Sequence, residues 1–538
     1  MSQAPASDPG QAPEAGRHWA ATPFRYQAGD TLFTALVGAM RRFGRHRRGQ
    51  WEDQKPGAYS YGDLLKVTLA LGRLAARVTR EGEHVGVLMP NMAVTVGLLI
   101  GLSAYRRVPC MLNYTAGVEG MQGACQAATV RTILTSRVFL DKAGLTEQAL
   151  ALRGVALHYL EDMRRDFGWA DKLWLMGYAL WHPEAAVPPA VDPDMPAVVL
   201  FTSGSEGKPK GVVLSHRALL ANVAQVLRVI PVGDDEVVLN ALPIFHSFGL
   251  TAGTLIPLVC GARLILYTSP LHFKIIPQLV REKRCTVMFG TGTFFNHYAR
   301  NADPGDMASL KYVVAGAEKL GETVRQLWRE KFNVDILEGY GATETAPVLA
   351  VNDPRDNRPG SVGRLLPGVE ARILPVPGIE QGGELHVRGP NIMSGYYRFD
   401  APGVLEPPVS DAGPGWYNTG DVVDLDADGL LTIQGRLKRF AKVAGEMVSL
   451  EIVEAIARSA SEEAMHAATC VADEGRGELI ILFTTDSELT REQLAAAARG
   501  LGYPEIALPR RIRVVDKLPL LGTGKVDYVR LKQHAHGT

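Results

Sequence analysis

Short hydrophobic runs that close on small or polar residues recur along the chain: HVGVLMP, VRTILTS, AVVLFTSG, VVLNALP, ARLILY, CTVMFGT, KYVVAGAE and VDILEGYG. From Tyr59 to about Ile265 such runs alternate with helical stretches, among them His216 to Arg228. Strands that alternate with helices predict parallel, doubly wound sheets whose ligand loops lie at strand ends. From about Glu370 the texture changes to short β-runs between Gly/Pro turns, ARILPVPG, GELHVRGP and VVDLDADGLLTIQG, which predicts an antiparallel, barrel-like segment. A compact α+β tail follows Gly435. The fold class expected is therefore α/β, with two doubly wound sheets and a β-barrel-like subdomain in a large N-terminal domain, and a small C-terminal α+β domain.

Three stretches admit two readings. Val85 to Tyr105, VGVLMPNMAVTVGLLIGLSAY, is long and uncharged enough to cross a bilayer. Pro90 and Asn91 divide it, however, into a strand-like and a helix-like run, so a buried strand-turn-helix is expected. Leu32, Phe33, Leu36, Val37 and Met40 share one helical face, and this helix ends in RRFGRHRR, carrying Arg41, Arg42, Arg45, Arg47 and Arg48. Those cations either decorate a solvated helix end, where they favour the macrodipole, or form a docking patch for an acidic partner or anionic lipid. Phe167 to Trp181, FGWADKLWLMGYALW, holds three of the seven tryptophans and reads as a packed helix or as a surface that meets lipid.

Composition narrows the partners. The 538 residues include 57 Lys plus Arg and 57 Asp plus Glu, so no global field favours a nucleic-acid backbone. Length alone allows about three or four domains. Cys110, Cys125, Cys260, Cys285 and Cys470 are scattered without a C-x-x-C pair, which suggests neither disulfides nor zinc and suits a reducing cytoplasm. Residues 1–25 are polar and rich in Pro, Ala and Gly, and are expected to form a disordered tail rather than a signal peptide.

The strongest chemical feature is LFTSGSEGKPKGV. A hydrophobic strand runs into Thr202, Ser203, Gly204, Ser205, Gly207, Lys208 and Lys210, a loop of hydroxyls, bare N–H groups and ammonium charges suited to phosphate. It is not a Walker A loop, because Gly204 and Gly207 lie too close together. Six further motifs follow in order: FHSFG, AGAEKL, EGYGATE, YNTGD, GRLKRFAKVAGEMVSLEIVE and LPLLGTGKVDY. Together these resemble the signatures of the adenylate-forming superfamily, which includes acyl-CoA synthetases, luciferases and the adenylation domains of peptide synthetases.

The resemblance implies ATP and Mg²⁺ as cofactors and a role for each motif. Tyr340, within Glu338, Gly339, Gly341 and Ala342, would stack on adenine, with Gly316, Ala317 and Glu318 against the other face. Thr343 would bond the α-phosphate, and Glu344 would hold Mg²⁺ together with Thr202. Asp421 would take the ribose hydroxyls with Arg436 beside it, a pair that otherwise reads as turn residues. His246 would stand by the carboxylate pocket or pack in the core. Lys525 would supply the cation that adenylation needs, since a carboxylate attacking a phosphate brings like charges together. Lys442 would face the site in a second conformation, reached by rotation about a hinge at 437–438 between residues 26–436 and a mobile domain at 439–538. Lys438 reads equally as a surface lysine.

Within the superfamily, Glu206 of TSGSEGKPKG, the string ILEGYGATETAPV and the Arg-Phe-Ala of GRLKRFAKVAGEMVSLE resemble the acyl-ACP synthetase half of bacterial bifunctional acyltransferase/acyl-ACP synthetases. This implies activation of a fatty acid and transfer to the phosphopantetheine thiol of acyl carrier protein, with coenzyme A as the alternative acceptor; peripheral contact with the inner face of a membrane is left open by the Trp-rich segment and not by this resemblance. A non-catalytic binding protein is the remote alternative, against which Lys525, Glu344 and Asp421 all keep the active type. None of the thirteen histidines is followed by Asp at the His-x4-Asp spacing of the acyltransferase half. Glu206 would be repelled by a triphosphate unless it turns away or helps hold Mg²⁺.

Overall fold

The computed structural model describes residues 26–27, 29–47, 50–55, 57–189, 192–203, 208–443, 446–473, 477–520 and 526–536. The short hydrophobic runs become parallel strands. One sheet of nine strands is ordered Arg364–Leu365, Val348–Val351, Ile336–Gly341, Tyr312–Ala315, Val287–Gly290, Val237–Asn240, Arg263–Leu266, Trp51–Glu52 and Ala58–Tyr59. A second, of eight, runs Leu405–Glu406, Gly395–Tyr397, Pro209–Ser215, Pro196–Ser203, Val108–Met111, His84–Leu88, Thr132–Thr135 and Ala156–Tyr159. The centre of the first is parallel and its margins antiparallel, whereas the second is antiparallel only from Leu405–Glu406 to Pro196–Ser203 and parallel from there to Ala156–Tyr159. Helices begin at capping side chains: Ser60 accepts from the Asp63 N–H before Tyr61–Val78, and Ser215 from the Ala218 N–H before His216–Leu227.

The expected barrel-like segment is a four-stranded antiparallel sheet, Glu370–Leu374, Gly383–Arg388, Tyr417–Leu425 and Leu431–Arg436. A bridge between Arg364 and Leu430 joins it to the first sheet. After a tight turn at Leu437–Arg439, the C-terminal unit builds its own sheet, in which Gly477–Thr484 lies between Phe440–Val443 and His466–Asp473 and also pairs with Arg511–Val514. Helices Leu450–Ala460, Arg491–Gly500 and Tyr528–His536 complete it. The two large sheets and the four-stranded sheet share one hydrophobic core, whereas the C-terminal residues from Ala441 onward form separate clusters.

Val85 to Tyr105 folds as the buried strand His84–Leu88 and helix Ala93–Ala104. No helix among the described residues is long and apolar enough to cross a membrane. Glycines serve close packing between that helix and Tyr61–Val78: a Cβ at Gly101 of the first would lie 2.5 Å from the Thr68 carbonyl oxygen, and one at Gly72 of the second would lie 2.5 Å from the Tyr105 ring. All five cysteines are buried and unpaired.

The arginine-rich helix end is largely engaged within the chain. Arg41 pairs with Glu184 at 2.6 Å and Arg47 with Asp234 at 3.0 Å, while Arg45 donates to the Leu180 carbonyl and lies over the Trp181 ring. The docking-patch reading is thereby weakened, because carboxylates of this chain already meet two of its charges. Phe167 to Trp181 divides between the two readings: Leu175, Ala179 and Leu180 are buried, but Trp169 is 75% exposed and Trp181 68%.

Candidate active site

A single cavity of about 2020 Å³ runs along the carboxyl ends of the second sheet and across to the first. That volume is well above the roughly 300–1,000 Å³ of an ordinary small-molecule pocket. Its polar wall includes Thr202, Lys208, His246, Gly316, Ala317, Tyr340, Thr343, Glu344 and Arg436, so the structure brings together residues spread over more than two hundred positions of sequence. An apolar wall is formed by Phe245, Phe248, Ala252, Phe289, Val348 and Val351. At one end lie Leu160 and Phe167. They follow the Ala156–Tyr159 strand, four places across the sheet from the strand bearing Thr202, a span of roughly 19 Å at ordinary strand spacing.

Thr202 ends a hairpin strand and is in register with Lys210. Lys208 lies 4.5 Å over the Phe399 ring and Lys210 5.5 Å over that of Tyr396. Both ammonium groups are therefore steered by aromatic faces, which attract cations. Lys210 does not line the cavity as Lys208 does. The next strand, Gly395–Tyr397, pairs with the outer side of this hairpin and sends the Tyr396 hydroxyl to Glu344 at 2.7 Å. Strand Gly395–Tyr397 thus links the hairpin that bears Thr202 and Lys210 to Glu344. Gly204, Ser205, Glu206, Gly207 and Lys525, and the side chain of Ser203, lie outside the described residues.

On the opposite side, Ile336–Gly341 leads into Thr343, whose hydroxyl accepts from Ser247 at 3.4 Å. A Cβ at Gly341 would fall 1.8 Å from the Pro347 carbonyl, and one at Gly316 would press on the Phe248 ring at 3.2 Å. Small residues are required here to keep the slot open. Tyr340 donates to Asp421 at 2.6 Å, and Arg436 pairs with the other carboxylate oxygen at 3.2 Å. Burial pushes the Asp421 carboxyl up, and Arg436 and Tyr340 pull it partly back. Asp421 is only 4% exposed and stands behind Tyr340 and Arg436 rather than on the cavity wall.

His246 lies on the wall beside the Phe245 ring, with centroids 4.7 Å apart. Its loop is held by Asn91, which donates to the Leu242 carbonyl at 2.6 Å and accepts from the Ile244 N–H at 2.8 Å. The wide helical turn Phe248–Leu255 follows, braced where Asn240 donates to the Gly249 carbonyl. π-type turns of this kind concentrate at functional sites.

Other expected residues lie elsewhere. The Glu338 carboxylate, expected among the nucleotide contacts, is turned into the protein, where Arg325 meets it at 2.6 Å and the Gly360 N–H at 3.2 Å. Its role here is structural, since a buried carboxylate needs such partners. Glu318 accepts the Thr293 N–H and does not line the cavity, although Gly316 and Ala317 do. Lys442 is exposed on the C-terminal sheet, away from the cavity. Leu520, five residues before Lys525, does reach the cavity. Asn91 and Tyr396 complete the surroundings from outside the motifs, although the Asn after LMP and the paired Tyr of SGYYRF are visible at strand ends, and Ser247 and Tyr417 lie within FHSFG and YNTGD, which gave them no role.

Thr202 and Glu344 place a hydroxyl and a carboxylate, both hard oxygen donors, on one cavity, and no cluster of three acidic, His or Cys ligands occurs among the described residues. That donor set fits Mg²⁺, which binds through one or two carboxylates with waters and substrate phosphates.

The chain belongs to the AMP-binding enzyme family, whose sequence pattern matches residues 42–397. A sulfoacetate–CoA ligase of Cupriavidus necator is 31% identical over 519 residues, covering 91% of this chain and 96% of that protein. A long-chain-fatty-acid–CoA ligase of Salmonella typhimurium is 32% identical over 370 residues, covering 65% of this chain and 64% of its own length. In fold, the chain is similar to ATP-bound MatB from Rhodopseudomonas palustris, with TM-score 0.77 and 23% identity over 94% of this chain and 99% of that one. It is likewise similar to MenE from Bacillus subtilis, with TM-score 0.78 and 19% identity over 94% and 98%.

Proposed function

We propose that this AMP-forming acid–thiol ligase activates a medium- or long-chain fatty acid with ATP and transfers it to the thiol of coenzyme A. The observation that carries this reading is the joining, in one cavity, of a polar wall with hydroxyls, Lys208 and Glu344 to an apolar wall that extends toward Phe167. A carboxylate oxygen attacks the α-phosphorus of ATP, the bond to pyrophosphate breaks, and an acyl-adenylate forms. A thiolate then attacks the acyl carbon and AMP leaves.

Thr343 and Lys208 would bind phosphate oxygens, Tyr340 would lie along the adenine, and Asp421 would orient Tyr340 and Arg436 around the ribose. Thr202 and Glu344 would hold Mg²⁺, which neutralises phosphate charge when bound. The apolar wall would exclude water from the acyl carbon. Lys525 would supply the adenylation cation; the position of Leu520 on the cavity and of Lys442 away from it supports assigning Lys525 to the first half-reaction and Lys442 to the second. The turn at Leu437–Arg439, including Lys438, would be the hinge between them.

The extended motif strings favour a second acceptor, the phosphopantetheine of acyl carrier protein. The engagement of Arg41 and Arg47, and of Arg439 by Glu454 at 2.6 Å, leaves less cationic surface for such a partner. Pyrophosphate release measured across acids from butyrate to stearate, followed by thioester formation with either acceptor, tests the proposal. Activation should rise with chain length and coenzyme A should be acylated; no release with any fatty acid refutes the substrate, and exclusive acylation of the carrier protein refutes the acceptor.

A further inference from the structure

Two features unexplained by the site, separated by more than a hundred residues of sequence, meet on one surface. Helix Trp169–Trp174 and the turn Leu175–Ala179 place Trp169, Leu173 and Met176 in a line on the solvent side, 75%, 62% and 57% exposed, with Tyr178 and Trp181 continuing it. The opposite side buries Leu175, Ala179 and Leu180 together with the paired Asp171. A soluble helix ordinarily turns polar residues outward.

The charges around this face are matched unequally. Its carboxylates are mostly taken up inside the chain: Asp171 by Arg73 and Arg77, Asp162 by Arg137, Glu161 by Ser136 and Glu184 by Arg41. Arg164 and Lys172 are exposed, Arg165 keeps a side chain 82% exposed although it lies 3.7 Å from Asp162, and Arg45 sits over the Trp181 ring at the other end. The surface therefore presents large apolar side chains, two of them tryptophans, flanked by cations. Trp and Tyr with one apolar and one polar end suit the water–lipid boundary, and flanking Lys and Arg suit anionic headgroups. The cavity reaches Phe167 and Lys172, within this same segment.

We propose that the exposed face of Phe167–Trp181, with Arg45 beside it, docks on an anionic phospholipid bilayer. On the fatty-acid reading above, on which this part rests, docking brings the end of the cavity lined by Leu160 and Phe167 to the surface from which the acid partitions.

The full chain is floated with vesicles of phosphatidylcholine, with and without phosphatidylglycerol, and tryptophan emission is followed. Binding with a blue shift is expected, strengthened by phosphatidylglycerol. The variant Trp169→Ser/Leu173→Ser/Met176→Ser alters only exposed positions off the cavity wall; it should lose about tenfold or more in partitioning while keeping its activity on a short, water-soluble acid. Equal flotation of the variant, or no flotation of the parent chain, overturns the proposal. So does a dimer that the triple variant dissociates with no change in vesicle binding, because the face would then belong to a second copy. The flotation needs neither ATP nor acid, so docking without any acid activation would support the surface and sink the substrate reading.

Discussion

Removing Arg325 tests whether Glu338 is a structural residue inside a nucleotide-binding motif. The two side chains are 10% and 7% exposed and meet at 2.6 Å. In Arg325→Ala the Glu338 carboxylate keeps only the Gly360 N–H, at 3.2 Å, among its described bonds. Breaking a buried ion pair from one side costs about 3–5 kcal/mol, because a charge is left without its partner in a poor solvent. The lost contact to Glu322, 65% exposed, adds no more than about 1 kcal/mol. The double variant Arg325→Met/Glu338→Leu removes both charges and should recover most of the loss, since well-packed apolar replacements of buried pairs are often neutral. Urea denaturation of the three proteins measures the stabilities, and ATP–pyrophosphate exchange measures the KM for ATP. The single variant should unfold at clearly lower urea, and the double variant should approach the parent with its KM for ATP unchanged. A loss below about 1 kcal/mol in Arg325→Ala would refute the energetic argument, and a double variant with parental stability but a raised KM would restore Glu338 to the nucleotide site.

Tyr340→Phe keeps the ring but removes the hydroxyl donated to Asp421, so it should cost about 1.5–3 kcal/mol at neutral pH. Because burial already raises the Asp421 carboxyl, the folded state takes up its proton before the unfolded chain does, and the charged form penalises folding as pH rises through the folded value. The stability gap between variant and parent should therefore narrow on acidification; a constant gap in urea titrations counts against it. Asp171 is held down to about 2, first by Arg77, so its clamp on the aromatic segment is fully present above the ordinary carboxyl range and is lost as pH falls through about 2. Asp171→Asn should expose residues 160–185 to limited proteolysis at neutral pH, and unchanged cleavage would contradict the clamp. Ala252→Phe fills the apolar wall and should shift acid preference to shorter chains without raising the KM for ATP; an unaltered profile across fatty acids would place the acyl chain elsewhere.

The parallel strands were legible because each is a short hydrophobic run ending in the small or hydroxylic residues that face the cavity. Partners fixed only by tertiary packing were not. Arg41 and Arg47 look like a free basic cluster until Glu184 and Asp234 arrive from 143 and 187 residues away. Glu338 carries the family motif, but nothing in its spacing tells that a helix from Glu322–Phe332 returns Arg325 to it. The aromatic segment has apolar residues on both sides, so periodicity alone leaves open which side meets water. Asn91 reads in the sequence as part of a turn, whereas its two bonds to the Leu242–Ile244 loop depend on a strand of the other sheet.

No hydrophobic cluster among the described residues spans Leu437–Arg439: the main core ends at Leu431, and the next clusters begin at Ala441. If the C-terminal unit turns about that point, as proposed above, none of these buried hydrophobic clusters would have to be broken. Such a motion would carry a smaller heat-capacity change than unfolding, whose heat capacity comes from apolar exposure. The equilibrium between two orientations would then stay nearly level with temperature, and a nucleotide or thiol ligand could tip it without the core being disturbed.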